Sequence, residues 1–170
     1  LVETIVKRVL EVLGKAALPV SDHLIRVENH VEKIIEWTTH TEESSGVKAI
    51  VIYGISGVGK TTLAKVVYNR LCNNFDRCSF IANVDETSGK KGLEHLQKQL
   101  ILDLSGEQAD IANTEYGENI IKARCKGKKA LVLLDDVDHR NQLKALAGKP
   151  DWFSTGSVII VTSKKMDVLE

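Results

Sequence analysis

Apolar positions along the chain recur in two ways: at the three-to-four spacing of a helix face, and as short unbroken runs that suit a buried strand. Val2, Ile5, Val6, Val9 and Leu13 form a first helical stripe, with Gly14 as its stop and Pro19 in the loop beyond. Residues 20–30 read as an extended loop, and a second helix is expected from about Asn29 to Trp37 with Val31, Ile34 and Ile35 inward. The polar stretch 38–46 reads as a surface loop. Ala49-Ile50-Val51-Ile52-Tyr53 is a β-branched strand run, and Leu63, Val66, Val67 and Leu71 then mark one face of a helix. A turn at 73–76, a strand at 78–84 and a loop at 87–92 follow. The spacing predicts a helix over 93–104, with Leu93, Leu96, Leu100, Ile101 and Leu104 on one side. A looser one is expected near 115–126, carrying Tyr116, Ile120 and Ala123. Ala130 to Leu134 and Val158 to Val161 are wholly apolar, as strands covered on both faces should be. Leu143, Leu146 and Ala147 mark a short helix between them. Strands alternating with helices imply βαβ units and a mostly parallel sheet in a three-layer α/β/α domain.

Between the first strand and its helix lies Gly54-Ile55-Ser56-Gly57-Val58-Gly59-Lys60-Thr61-Thr62. This fits G-x-x-x-x-G-K-[ST], and strand, glycine loop and helix are the context that makes the match a phosphate-binding loop. Glycines let the backbone approach a phosphate and turn N–H groups toward it. The helix N-terminus adds partial positive charge and free donors. Gly54, Ser56, Gly57, Val58, Gly59, Lys60, Thr61 and Thr62 are therefore the candidate nucleotide-binding residues. Lys60 is expected to reach the β- and γ-phosphates and the Thr61 hydroxyl to ligate Mg²⁺.

Leu131-Val132-Leu133-Leu134-Asp135-Asp136-Val137-Asp138 is an apolar strand ending in acids. Beside a phosphate loop, such a strand delivers a carboxylate to the metal from its C-terminal edge. Asp135 is the expected Mg²⁺ partner and Asp136 the candidate for polarising an attacking water. Lys164, at the end of the strand Val158-Ile159-Ile160-Val161, is the candidate cation for sensing a γ-phosphate.

The 170 residues are 43% hydrophobic and 27% charged, ordinary for one globular α/β domain. Lys+Arg and Asp+Glu are both 23, which argues against a dedicated nucleic-acid binder. The basic cluster Lys122, Arg124, Lys126, Lys128, Lys129 reads as a helix C-terminus with a solvated turn. No apolar run approaches the ~20 residues of a membrane span. Cys72, Cys78 and Cys125 show no metal-ligand spacing and no disulfide framework, so a reducing compartment is the simplest reading. The five histidines lie far apart and receive no role. The chain starts at Leu1 inside a helical pattern and ends at Glu170 in another, so both ends are expected to be interior points of a longer polypeptide.

The phosphate loop, the acidic strand and the strand ending in Lys164, in this order, resemble the NB-ARC domain of plant intracellular immune receptors. Phe75-Asp76-Arg77-Cys78-Ser79-Phe80-Ile81-Ala82-Asn83-Val84-Asp85-Glu86 is similar to that family's block after the P-loop helix in its TIR-class form. Asp138 closes the acidic motif with the residue typical of that class. Leu24-Ile25-Arg26-Val27-Glu28-Asn29-His30-Val31 resembles the family's L-V-G-I-D-x-x-V stretch, and through it Ile25 is implied in cradling adenine. The resemblance covers roughly residues 18 to 167. It implies a P-loop NTPase-type sheet, incomplete at the C-terminus, in the NB subdomain at 19–170. Residues 1–18 would then be a linker helix at the tail of an upstream TIR domain. It further implies an ADP/ATP switch with Mg²⁺ and slow hydrolysis, cytoplasmic or nucleo-cytoplasmic. Partners would be the receptor's TIR and leucine-rich repeat domains, with homo-oligomerisation in the ATP-bound form.

Three residues depart from the family's pattern: Arg26 replaces a glycine, Lys164 an arginine, and Asp85 stands where arginine is common. The chain also stops before the helical and winged-helix subdomains that would hold ADP. A nucleotide-free interaction module therefore stays open as an alternative. A GTPase is disfavoured because Lys164 stands where N-K-x-D needs Asn and no D-x-x-G follows Asp135. Nothing resembles the lid or acceptor site of a small-molecule kinase.

Overall fold

The computed structural model describes residues 20–40 and 46–169, with backbone alone at 20–27, 40 and 169. The stripe at 2–13 lies outside the described residues. Six α-helices and four strands follow one another: α1 (Val20–His40), β1 (Lys48–Tyr53), α2 (Lys60–Leu71), β2 (Arg77–Ile81), α3 (Val84–Lys91), α4 (Leu93–Ser105), α5 (Thr114–Cys125), β3 (Ala130–Leu134), α6 (Arg140–Ala147) and β4 (Val158–Ser163). Short 3₁₀ turns occupy Cys72–Asn74, Pro150–Trp152 and Asp167–Leu169.

The strands form a parallel sheet in the order β1-β4-β3-β2, with Val51 opposite Val161, Leu134 opposite Val161 and Ile81 opposite Leu134. Side chains alternate across it. Val132 and Leu134 of β3 face a layer that includes Leu96, Leu100 and Ile101 of α4 and Ile121 of α5. Leu131 and Leu133 face Val31 of α1 and Leu63 and Val67 of α2. All five residues of β3 are buried because both faces are covered, which is why the run carries no polar position. The expected three-layer α/β fold is what forms. A Glu28–Arg70 ion pair also links α1 to α2.

The structure corrects several local expectations. Residues 20–30 are helical rather than extended, and 38–40 helical rather than loop, since α1 runs from Val20 to His40. Its described part buries Val31 and Ile34 at helical spacing against the sheet. The strand after α2 ends at Ile81, three residues early. Asn83 turns the chain at φ 49°, a conformation asparagine tolerates. The Val84 and Asp85 N–H groups then donate to the Asp135 and Asp136 carbonyls at 2.8 and 3.1 Å. The expected loop at 87–92 is mostly α3, with Asp85 and Glu86 in its first turn and Lys90 and Lys91 in its last, as the helix dipole favours.

On α5 the buried residues are Gly117, Ile121 and Cys125, while Tyr116 is exposed. The inward face is shifted because Gly117 leaves room for the Gln97 side chain. Cys72 and Cys78 are joined as a disulfide, with Cα atoms 6.1 Å apart. The tight turn from the end of α2 into β2 brings them within disulfide reach. Cys125 is a free, buried thiol.

Candidate functional site

The site lies at the C-terminal ends of β1, β3 and β4, where an open parallel sheet presents loops to ligands. The loop after β1 is anchored by the Gly54 N–H, which donates to the Ser163 carbonyl of β4 at 3.2 Å. Gly57 and Gly59 hold φ of 82° and 92°. Nothing lies within 4 Å of a Cβ placed on Gly57, so backbone conformation and not crowding demands glycine there. Gly59 caps α2 in the left-handed region and accepts from the Leu63 N–H at 2.9 Å. The first-turn N–H groups of Lys60, Thr61 and Thr62 have no carbonyl four residues back inside the helix to use.

Lys60 is only 8% exposed, and its Nζ donates to the Gly54 and Ile55 carbonyls at 2.7 Å each. Burial lowers its pKa, and the neighbouring Lys164 adds to this. Asp136 and Asp135 oppose the shift. The ammonium is thus held against the loop's own carbonyl oxygens, beside two acids.

Asp135 directly follows β3 and is 4% exposed. Its Oδ1 accepts from the Thr61 hydroxyl at 2.7 Å and from the Thr162 hydroxyl at 2.7 Å. Two hard oxygen donors, a hydroxyl on α2 and a carboxylate just past β3, therefore meet at the sheet end. Asp136 is half-buried, takes φ 58°, and pairs through Oδ1 with the Lys164 ammonium at 3.4 Å. Its N–H donates to the Thr162 hydroxyl at 2.8 Å. Next along the rim, Asp138 accepts from Lys165 at 2.9 Å, and that bond holds its carboxyl below the usual range. Gln142 closes the group: its Oε1 accepts from the Asp138 and His139 N–H groups, and its Nε2 donates to Asp85 and Ser88.

A family model described as the NB-ARC domain matches residues 27–170. The chain belongs to the NB-ARC family. Disease resistance proteins RUN1 and RPV1 of Vitis rotundifolia are 38% and 39% identical to it over 150 and 154 residues, covering 87% and 89% of this chain. TMV resistance protein N of Nicotiana glutinosa is 32% identical over 182 aligned positions, covering 99% of this chain. The chain spans 11–15% of the length of these relatives.

Within this NB-ARC domain, the loop at 54–62, Asp135, Asp136 and Lys164 lie at the C-terminal end of the sheet, where Thr61 bonds Asp135 and Lys164 pairs with Asp136. The backbone of Ile25 lies in α1, and its side chain is outside the described residues. Two features escaped the sequence. The Gly54 and Ile55 carbonyls hold Lys60, and Thr162 bonds both acids. Thr162 carried one readable signal, a hydroxyl residue directly after the apolar run Val158-Ile159-Ile160-Val161. The basic residues on and after α5 are dispersed among separate partners: Lys122 pairs with Asp151, Arg124 donates to the Gln108 carbonyl, and Lys129 lies over the Phe75 ring. No described helix is long and apolar enough to cross a membrane.

Proposed function

We propose that this chain is the nucleotide-binding core of a TIR-class plant immune receptor, a switch that holds ADP at rest and ATP when signalling. The observation that carries the reading is the 2.7 Å bond between the Thr61 hydroxyl and the buried Asp135 carboxylate, directly below the phosphate loop. The donor set suits Mg²⁺, which prefers hard oxygens and few protein ligands. Thr61 and Asp135 would hold it, and the ion would offset charge on the β- and γ-phosphates.

Lys60 exchanges its two carbonyl partners for phosphate oxygens when nucleotide enters. The loop N–H groups and the start of α2 bind the remaining phosphate charge. Asp136 orients the attacking water and accepts its proton. Lys164, held by Asp136, moves to the γ-phosphate when one is present, so ATP and ADP leave the β3 and β4 ends in different arrangements. That difference biases the two-state receptor, and slow hydrolysis resets it. TIR and leucine-rich repeat domains of the same receptor are the partners, with self-association in the ATP form. The compartment is the cytoplasm, with access to the nucleus, where the reducing thiol pool would hold the Cys72–Cys78 pair open except under oxidation, and the role is defence signalling, in line with the relatives' names.

The test is to purify the protein, denature it and identify what is released. ADP or ATP is expected. GDP would replace the reading with a GTPase. Empty protein that also fails to bind added ATP would leave a nucleotide-free interaction module.

A further inference from the structure

One hydroxyl on β4 touches both acids of the site. Thr162 is 1% exposed. Its oxygen accepts the Asp136 N–H at 2.8 Å, so its single proton is directed to Asp135 Oδ1 at 2.7 Å. Its carbonyl also accepts the Val137 N–H at 2.9 Å. The three residues 135, 136 and 137 are therefore each bonded to Thr162.

The two side-chain bonds do different work. At Asp135, the hydroxyls of Thr61 and Thr162 both donate to Oδ1. That fixes the carboxylate plane with α2 on one side and β4 on the other. At Asp136, the backbone takes φ 58°, a left-handed conformation that aspartate visits more readily than most residues but that still needs partners to hold it. The Thr162 hydroxyl and the Asp85 N–H, which donates to the Asp136 carbonyl at 3.1 Å, hold it there. In that conformation Asp136 faces Lys164, two residues beyond Thr162 and just past the end of β4.

We propose that Thr162 is a positioning residue for the Mg²⁺–nucleotide site, setting the Asp135 carboxylate and the Asp136 backbone together through one hydroxyl. This rests on the nucleotide-switch reading above. The register of β4 does not need the hydroxyl, since Leu134 already pairs with Val161 through the backbone ladder. The hydroxyl acts on the acids and leaves the sheet pairing to the main chain.

The test compares Thr162→Val, near in shape but without a hydroxyl, with Thr162→Ser, which keeps it. ADP affinity is titrated with and without Mg²⁺, and thermal unfolding is followed in parallel. Wild type is expected to bind more tightly with Mg²⁺. Thr162→Val should keep the metal-free affinity within about twofold and lose about tenfold of the Mg²⁺-dependent gain, the usual scale for losing a partner of a metal-ligating carboxylate. Thr162→Ser should recover that gain to within about threefold. Thr162→Ala removes the same hydroxyl and serves if the valine variant does not fold. A folded valine or alanine variant with the full Mg²⁺ gain overturns the proposal, as does a serine variant as impaired as valine. Wild type that binds no ADP under either condition overturns the switch reading itself, and the proposal with it.

Discussion

Gly117→Ala sets two opposite effects against each other on α5. Helix propensity alone favours alanine over glycine by roughly 1 kcal/mol in a helix interior. Packing opposes it. A Cβ at Gly117 would lie 2.0 Å from Gln97 Oε1 and 2.5 Å from its Cδ. Gln97 is fully buried, and its Nε2 donates to the Thr114 carbonyl at 3.0 Å and the Ala145 carbonyl at 2.9 Å. The amide must leave, breaking the tie between α4, α5 and α6. Each buried bond broken costs about 1–3 kcal/mol, so two cost about 2–6. Subtracting the propensity gain leaves a net loss of about 1–5 kcal/mol. Denaturant unfolding followed by fluorescence of the buried Trp152 measures it. In a Gln97→Ala background the clash is gone, so Gly117→Ala should cost nothing there or stabilise by up to about 1 kcal/mol. A neutral or stabilised single variant, or equal effects in both backgrounds, would refute the packing argument.

Two cysteine predictions follow. Burial pushes the Cys125 thiol up to about 11 from its ordinary 9, with Lys128 opposing the shift weakly. At pH 8 the thiolate fraction should be roughly 100-fold below that of an unfolded cysteine, so mass spectrometry should find it unalkylated by iodoacetamide in native protein and fully alkylated in denaturant. The folded pKa is the higher one, so the stability this thiol supports is present below about pH 9 and declines as pH rises toward 11; rapid native alkylation at pH 8 would contradict its burial. The Cys72–Cys78 link closes a loop of six-residue separation, worth roughly 2 kcal/mol by the chain-entropy estimate. A double serine variant should unfold at correspondingly lower denaturant than the non-reduced wild type, and equal midpoints would contradict the pairing.

What the sequence disclosed depended on how far apart the interacting residues lie. The candidate phosphate loop could be placed from the sequence because its pattern is local: nine consecutive residues between a β-branched run and an amphipathic face. The positions of Asp135 and Lys164 were legible because each follows an apolar run whose placement the fold class dictates. The α3 helix was hidden in a polar stretch, Thr87-Ser88-Gly89-Lys90-Lys91. Its start is set by backbone bonds to residues 135 and 136, some fifty positions away. The inward face of α5 was misjudged because a glycine carries no apolar signal, yet Gly117 is where Gln97 enters. The Cys72–Cys78 pair needed the turn geometry. Thr162 needed the strand order, which places β4 between β1 and β3 and so brings one hydroxyl beside both acids.

Gly54 to Thr62, with Asp135, is proposed to bind the phosphates of an adenine nucleotide. The most direct test is calorimetric titration of ADP and ATP into wild type and Lys60→Arg. The arginine keeps the charge but cannot fit the compact ammonium's place against the Gly54 and Ile55 carbonyls. Wild type is expected to bind measurably, and a Lys60→Arg protein whose circular dichroism and unfolding remain those of the folded domain is expected to show no binding. Unchanged affinity in that folded variant would contradict the proposal.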